Sequence, residues 1–300
     1  MTEVPTRRRA FARLVTAATA VALVGTTAGT AAAGALPPAG KALRPSAAAK
    51  ADFSPNAPFF PVQAINRQGD AYFYLPSGKG GLSSREHSGA GLGDLKAATQ
   101  VDHDRDGVAE GVYFLTEADD LGYMTDAMKE PRRVATDWGQ YNSPFSPGTL
   151  GGSKQSDILV RDRQGTLWLY LAKADGSLSG RKKVGTGWGG YTAITGRGDL
   201  TGDGRTDIVA RDKQGTLWLY PGTGNADKPF TSRKKIGGGW NQYNLLLGTG
   251  DVDLDGRADL LARDGKGALW LYKGTGKASS PYKSRVQIGK SGWNQYRLVF

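Results

Sequence analysis

The sequence predicts an all-β protein, a β-propeller of about five four-stranded blades. Three observations point there: a unit of about fifty residues recurs along most of the chain, each copy reads as short strands separated by glycine-containing turns, and no segment shows a 3.6-residue apolar period.

The repeat is legible in two independent markers. DILVRDRQGTLWLY begins at Asp157, DIVARDKQGTLWLY at Asp207 and DLLARDGKGALWLY at Asp259, at spacings of 50 and 52. A Trp-x-x-Tyr mark follows the same period, at Trp138, Trp188, Trp240 and Trp293. A weaker copy, NRQGDAYFYL from Asn66, extends the repeat toward the N-terminus. In the last full copy the four strands read as Tyr243–Gly248, Asp259–Asp264, Ala268–Lys273 and Ser284–Ile288. The second and third are joined by the short turn Arg263-Asp264-Gly265-Lys266-Gly267, a hairpin signal. Thr216–Tyr220 is apolar on both faces, as expected where sheets stack.

The ends of the repeat complement each other. It opens near Pro61–Ile65, which matches a second strand, and closes at Tyr296–Phe300, which matches a first. The C-terminal strand is therefore expected to complete the N-terminal blade and close the ring, leaving no open edge. Further blades begin near Lys96, Phe145, Thr192 and Tyr243. A β-solenoid is the second architecture such a repeat permits.

Between the first and second strands lie acidic loops. Asp102, Asp104 and Asp106 precede Gly107, with Glu110 following; Asp251, Asp253 and Asp255 precede Gly256, with Asp259 following; Asp199, Thr201 and Asp203 precede Gly204, with Asp207 following. Carboxylates at alternating positions supply the hard oxygen donors that calcium takes, and the sixth-position glycine lets the chain turn back on the ion. Solvated Asp-Gly turns are the plainer alternative. Three or four carboxylates in one tight loop repel unless a cation neutralises them, which favours about three structural Ca2+ sites. The equivalent stretch Thr149–Asp157 keeps only its last Asp and is expected to hold no metal.

These loops, followed by hydrophobic strands, resemble the FG-GAP / VCBS repeat family of integrin-alpha-like propellers over about residues 61–300, with wording similar to exported actinobacterial members. The resemblance implies calcium in blade loops away from the ligand face. Integrin heads have seven blades, so their ligand surface does not transfer.

Residues 1–35 read as an export signal: Arg7, Arg8, Arg9 and Arg13, then an uncharged run from Leu14 to Gly29, then Ala31-Ala32-Ala33 as a cleavage site. The Arg8-Arg9 pair leaves the twin-arginine route open beside general secretion. The stretch is too short to anchor, so a secreted protein with no transmembrane anchor is expected. Residues 36–58, rich in Pro, Ala and Lys, read as a disordered linker, and residues 59–300 as the propeller. With no cysteine, an exported fold is stapled by packing or metal. Loss of residues 1–33 leaves 35 basic and 27 acidic residues, a charge of +8 that attracts cell-wall polymers or acidic glycans. No recognition element for nucleic acid accompanies that charge.

The Trp-x-x-Tyr marks bracket amides: Trp188 and Tyr191; Trp240, Asn241, Gln242 and Tyr243; Trp293, Asn294, Gln295 and Tyr296. Aromatic faces beside amides can hold a sugar, and packing between blades is the competing reading. Trp168, Trp218 and Trp270 read as core. A basic mark (Arg132-Arg133, Arg181-Lys182-Lys183, Arg233-Lys234-Lys235, Lys283 and Arg285) falls on the fourth strands, where charge blunts an exposed edge. The Asp162, Asp212 and Asp264 series reads as turn chemistry. The chain has two histidines; His103, between two loop ligands, is expected to point outward, and His87 has no evident partner. No cysteine nucleophile, serine elbow or zinc-binding His pair is present. The reading is a non-enzymatic, calcium-binding module for binding or adhesion to an extracellular glycan, cell-wall polymer or protein. The alternative is an exported polysaccharide-active hydrolase or lyase.

Overall fold

The computed structural model describes residues 53–300; the export signal and residues 36–52 of the predicted linker lie outside the described residues. The second blade is built from β4 (Leu95–Val101), β5 (Gly111–Thr116), β6 (Leu121–Thr125) and β7 (Arg132–Ala135). The third contains β8 (Tyr141–Gly148), β9 (Asp157–Asp162), β10 (Leu167–Tyr170) and β11 (Lys182–Gly185). The fourth contains β12 (Tyr191–Thr195), β13 (Ile208–Asp212), β14 (Leu217–Tyr220) and β15 (Lys234–Gly237), and the fifth β16 (Tyr243–Gly250), β17 (Asp259–Asp264), β18 (Leu269–Tyr272) and β19 (Val286–Gly289). In the first blade β1 (Val62–Asn66), β2 (Ala71–Tyr74) and β3 (Glu86–Gly89) are completed by β20 (Tyr296–Val299).

The ring is thus closed by pairing the first and last strands of the propeller. Antiparallel β1 and β20 place Ala64 opposite Val299 and Ile65 opposite Leu298. Gln63 and Phe300 exchange backbone hydrogen bonds of 2.8 and 2.9 Å. The result is five four-stranded antiparallel sheets in a β-propeller.

Alternation explains why the second strands are apolar on both faces. In β9, Ile158 and Val160 pack toward the second blade while Leu159 packs toward the fourth. In β13, Ile208 and Ala210 face the third blade and Val209 the fifth. Each second strand therefore feeds two cores, and one apolar cluster fills each gap between neighbouring blades.

The structure corrects two boundaries. The third blade begins at Tyr141, four residues before Phe145, because Pro144 and Pro147 sit within β8, where the register with β9 shifts around Phe145. An innermost strand tolerates proline because one of its edges needs no partner. Residues 53–58, the end of the segment predicted as linker, are ordered against the ring. The Asn56 carbonyl accepts from Asp199 N–H at 2.6 Å, the Pro58 carbonyl from Asp251 N–H at 2.9 Å, and Phe59 N–H donates to Gly107 at 2.7 Å. This strap ties together the three acidic loops.

Candidate metal centres

Each acidic loop leaves a first strand and enters a second strand on one face of the ring. The sixth-position glycines Gly107, Gly204 and Gly256 have φ of 80°, 79° and 81°, the left-handed region that lets the chain reverse. The fourth position is left-handed too: Arg105, Gly202 and Leu254 have φ of 63°, 82° and 59°. A side chain is strained there, so the first and third of these loops carry backbone strain that the middle one avoids. Leu254 packs against Gly78 of the first blade, where an added Cβ would lie 2.8 Å from the leucine Cδ1.

Two loops gather carboxylates. One oxygen each from Asp102, Asp104 and Asp106 lies within 4.8 Å of the others, and so does one each from Asp251, Asp253 and Asp259. Asp102 Oδ1, Glu110 Oε2 and Asp253 Oδ1 are buried without a hydrogen-bond donor. Buried acceptors of this kind are costly unless a cation meets them, and an all-oxygen donor set suits a hard ion such as calcium. Burial pushes Asp102 and Asp251 up to about 6, and Glu110 and Asp259 up to about 8. A divalent cation would act in the opposite direction, holding them ionised.

The remaining expected ligands are placed differently. Asp255 turns toward Arg257, 3.1 Å away, and Lys283, 3.7 Å away. Glu110 Oε1 accepts from His103 N–H. In the middle loop Asp199 Oδ1 accepts from Thr201 and Gly202 and Oδ2 from Gly204, much as Asp251 accepts from Asp255 and Gly256, but Thr201 supplies no carboxylate to gather with it. Asp203 Oδ1 accepts from Arg205 N–H at 3.0 Å.

The ninth position does more than the spacing suggested. Asp259 accepts from Val252 N–H at 2.9 Å and from Gly274 N–H at 2.7 Å; Asp207 accepts from Leu200 at 2.9 Å and Gly222 at 2.7 Å. In the loop without a carboxylate set, Asp157 still accepts from Gly151 N–H and the Ser153 hydroxyl. This carboxylate knots each loop, and in the fourth and fifth blades also anchors the segment after the third strand. In the fifth blade it also belongs to the oxygen cluster.

Residues 199–262 match the family model described as an FG-GAP-like repeat. Over that span the chain carries an FG-GAP-like repeat. The match takes in the fourth blade's acidic loop and extends through the fifth blade's loop to β17, and the markers at Asp157, Asp207 and Asp259 carry the same unit across neighbouring blades. No curated protein matches the chain. Among solved structures it is similar to human WBSCR16 (11% identity, TM-score 0.34, 70% of this chain and 58% of that one). It is also similar to Prp20p from Saccharomyces cerevisiae (9%, TM-score 0.38, 77% and 61%). A third is the calcium-binding protein regucalcin from Agrobacterium tumefaciens (14%, TM-score 0.40, 79% and 76%). The chain spans about three fifths of the first two.

On the opposite face of the propeller lie the Trp-x-x-Tyr marks, and they are not open sugar platforms. Trp188, Trp240 and Trp293 are buried and stack on Tyr220, Tyr272 and Tyr74 at 4.7, 4.6 and 4.6 Å. The hydroxyls of Tyr191, Tyr243 and Tyr296 bond those same tyrosines. Asn241 and Asn294 are exposed but donate to the Lys213 and Gly265 carbonyls, and Gln242 donates to Gly239. Gln295 Oε1 faces Arg85 at 3.5 Å.

Two repeated devices went unread in the sequence. Arg161, Arg211 and Arg263, between the apolar run and the Asp of each marker, reach into the next blade and donate to carbonyls of its Trp-x-x-Tyr turn: Trp188 and Tyr191, Trp240 and Tyr243, Trp293 and Tyr296. Trp168, Trp218 and Trp270 are half-buried rather than core. Each indole donates to Asp162, Asp212 or Asp264, and the guanidinium of Arg181, Arg233 or Arg285 covers its ring at 4.1, 3.9 and 4.1 Å. The Asp series is therefore turn chemistry and an indole anchor at once. His103 does not point outward: it is buried against Tyr113 and Tyr123, and burial lowers its pKa to about 4. His87 is exposed on β3 and meets Tyr72 edge-on.

Proposed function

We propose that this chain is an exported, calcium-stapled propeller acting as a non-catalytic binding or adhesion module for extracellular or cell-wall glycans. One observation carries the calcium part: two loops at equivalent blade positions each bring three carboxylates together, and both hold a buried oxygen lacking a donor. Asp102, Asp104 and Asp106 would hold one ion and Asp251, Asp253 and Asp259 another. The bound ion supplies positive charge that lets buried carboxylates stay ionised, and it stabilises the folded ring by mass action. The middle loop, with Asp199, Thr201, Asp203 and Asp207, would bind more weakly or stay closed by its own hydrogen bonds.

The module reading is supported by what the side chains are engaged in. The buried carboxylates of Asp102, Asp157, Asp207, Asp251 and Asp259 serve the loops, His103 is packed between tyrosines, and the Asp162 series holds indoles. No helix among the described residues is long and apolar enough to cross a membrane. Equilibrium calcium binding together with a sedimentation assay on insoluble cell-wall polysaccharide tests both parts. Two ions per chain and retention on the polymer without release of sugar are expected. Absence of calcium binding sinks the first part, and release of sugar overturns the second.

A further inference from the structure

The innermost strands surround a cavity of about 350 Å³ on the propeller axis, within the range that small-molecule ligands occupy. Its rim is made by the second residue of each innermost strand, including Asn142, Thr192 and Arg297, all exposed, while Thr99, Ser146 and Thr195 deeper along those strands are buried. The cavity therefore opens on the face of the Trp-x-x-Tyr turns, opposite the acidic loops. Arg197 closes the far end: Phe60, from the N-terminal strap, lies under its guanidinium at 4.2 Å. The funnel is blind.

Its lining carries five cationic side chains against the single α-carboxylate of Phe300. Lys96, Arg161, Arg197, Arg211 and Arg297 contribute to the lining, and no lining side chain is Asp or Glu. Lys96 is paired with Asp119, whereas the others hold carbonyl oxygens and have no carboxylate within ion-pair distance among the described residues; Arg197 feels Asp102 only at longer range. Arg197 is 6% exposed; Nη1 donates to Gln100 at 2.9 Å and Nε to Gly248 at 3.4 Å, leaving Nη2 for a ligand. The Phe300 backbone beside it is taken by Gln63 and Gln100. A buried guanidinium with no carboxylate in direct contact is costly unless something anionic meets it. Between that floor and the polar rim, Phe145, Ile194, Leu245 and Leu298 present half-buried apolar walls.

We propose that the axial funnel binds an acidic sugar, its carboxylate on Arg197, its apolar ring face on the Ile194 and Leu245 walls, and its hydroxyls at Asn142 and Thr192. A sugar carboxylate supplies these three properties in one small body: a negative group, an apolar face and an edge of hydroxyls. The proposal rests on the glycan-binding reading above and narrows it to a chemical class and a place.

Calorimetric titration of the full chain with galacturonate and trigalacturonate tests it, with the methyl ester, glucose and sodium sulfate as controls. The acid is expected to bind at least about tenfold tighter than its ester, since a charge-assisted contact is lost on esterification. Trigalacturonate binding tighter than the monomer would place the ligand at the end of a polymer; equal affinities would point to the free sugar acid. Arg197→Gln should erase the preference for acid over ester. Should that variant fail to fold, Ile194→Trp, which fills the funnel from a half-buried wall position, should abolish binding. Equal binding of acid and ester, binding of sulfate as tightly as the acid, or full binding by a folded Ile194→Trp overturns the proposal. If wild-type and Ile194→Trp chains sediment equally with cell-wall polymer, the funnel assignment fails and the binding-module reading stands; if neither does, that reading fails too.

Discussion

The Lys273 ammonium lies 2.8 Å from Oδ2 of Asp253, whose other oxygen, Oδ1, is buried without a donor. One oxygen of this carboxylate thus faces a resident cation while the other has no donor. Lysine neutralises part of the loop's charge and repels any ion that enters. A like-charge pair at 4 Å costs about 1 kcal/mol even in water. Lys273→Met is therefore expected to tighten calcium binding by roughly fivefold or more and to weaken the calcium-free fold. Calorimetric titration reads the first effect; an unchanged or weaker affinity counts against the placement of the ion beside Asp253.

Arg105 holds a left-handed conformation, φ 63°, at the position that the middle loop gives to Gly202. Its side chain is exposed, so nothing is lost from a core on removing it. Arg105→Gly is expected to stabilise the protein by about 1 kcal/mol in urea unfolding, in calcium and in chelator alike. A loss of stability in both conditions contradicts the strain assignment.

Arg211 bridges the fourth and fifth blades through two carbonyls of the Trp240 turn. Arg211→Met keeps the apolar stem but leaves both acceptors without their donor. A loss of about 2 kcal/mol is expected, with Trp240 fluorescence shifting as its turn loosens. A neutral result would mean that the guanidinium clasp adds nothing to the stacking of blades.

Asp157 offers a pH test in a loop that lacks the carboxylate set. Burial pushes its carboxyl from 3.8 up to about 6, against the hydrogen bonds from Gly151 and Ser153. A raised folded pKa means that the native state binds the proton more tightly than the unfolded chain. The associated stability is fully present below about pH 4 and is lost as pH rises through 6. A carboxyl resonance of Asp157 titrating near 6 is expected, and a midpoint near 4 refutes the burial argument.

Much of this molecule was open to reading because propeller blades repeat. The markers at Asp157, Asp207 and Asp259 reported the period, and the unmatched ends at Pro61 and Phe300 reported the closure, since each is a local pattern with one geometric solution. Contacts between blades were not open to reading. Arg161, Arg211 and Arg263 stand beside a turn in the sequence, and only the docking of the next blade gives them carbonyls to hold. His103 was misjudged for a related reason: alternation within the loop pointed it outward, whereas Tyr113 and Tyr123 of the same blade enclose it. Thr201 in place of a carboxylate already set the middle loop apart in the sequence, but only the structure shows the Asp251 oxygen gathered with those of Asp253 and Asp259 while Asp199 joins no such cluster among the described residues.

The calcium staple is tested most directly by thermal unfolding of the wild-type chain in saturating calcium and in excess chelator, with Asp251→Ala measured beside it. Occupancy of one site at a hundred times its Kd stabilises by roughly 3 kcal/mol, which corresponds to roughly 5–10 °C in Tm for a domain of this size. Wild type is expected to gain at least that much in calcium, and Asp251→Ala to lose a large part of the gain. Identical melting curves in calcium and in chelator would contradict the account.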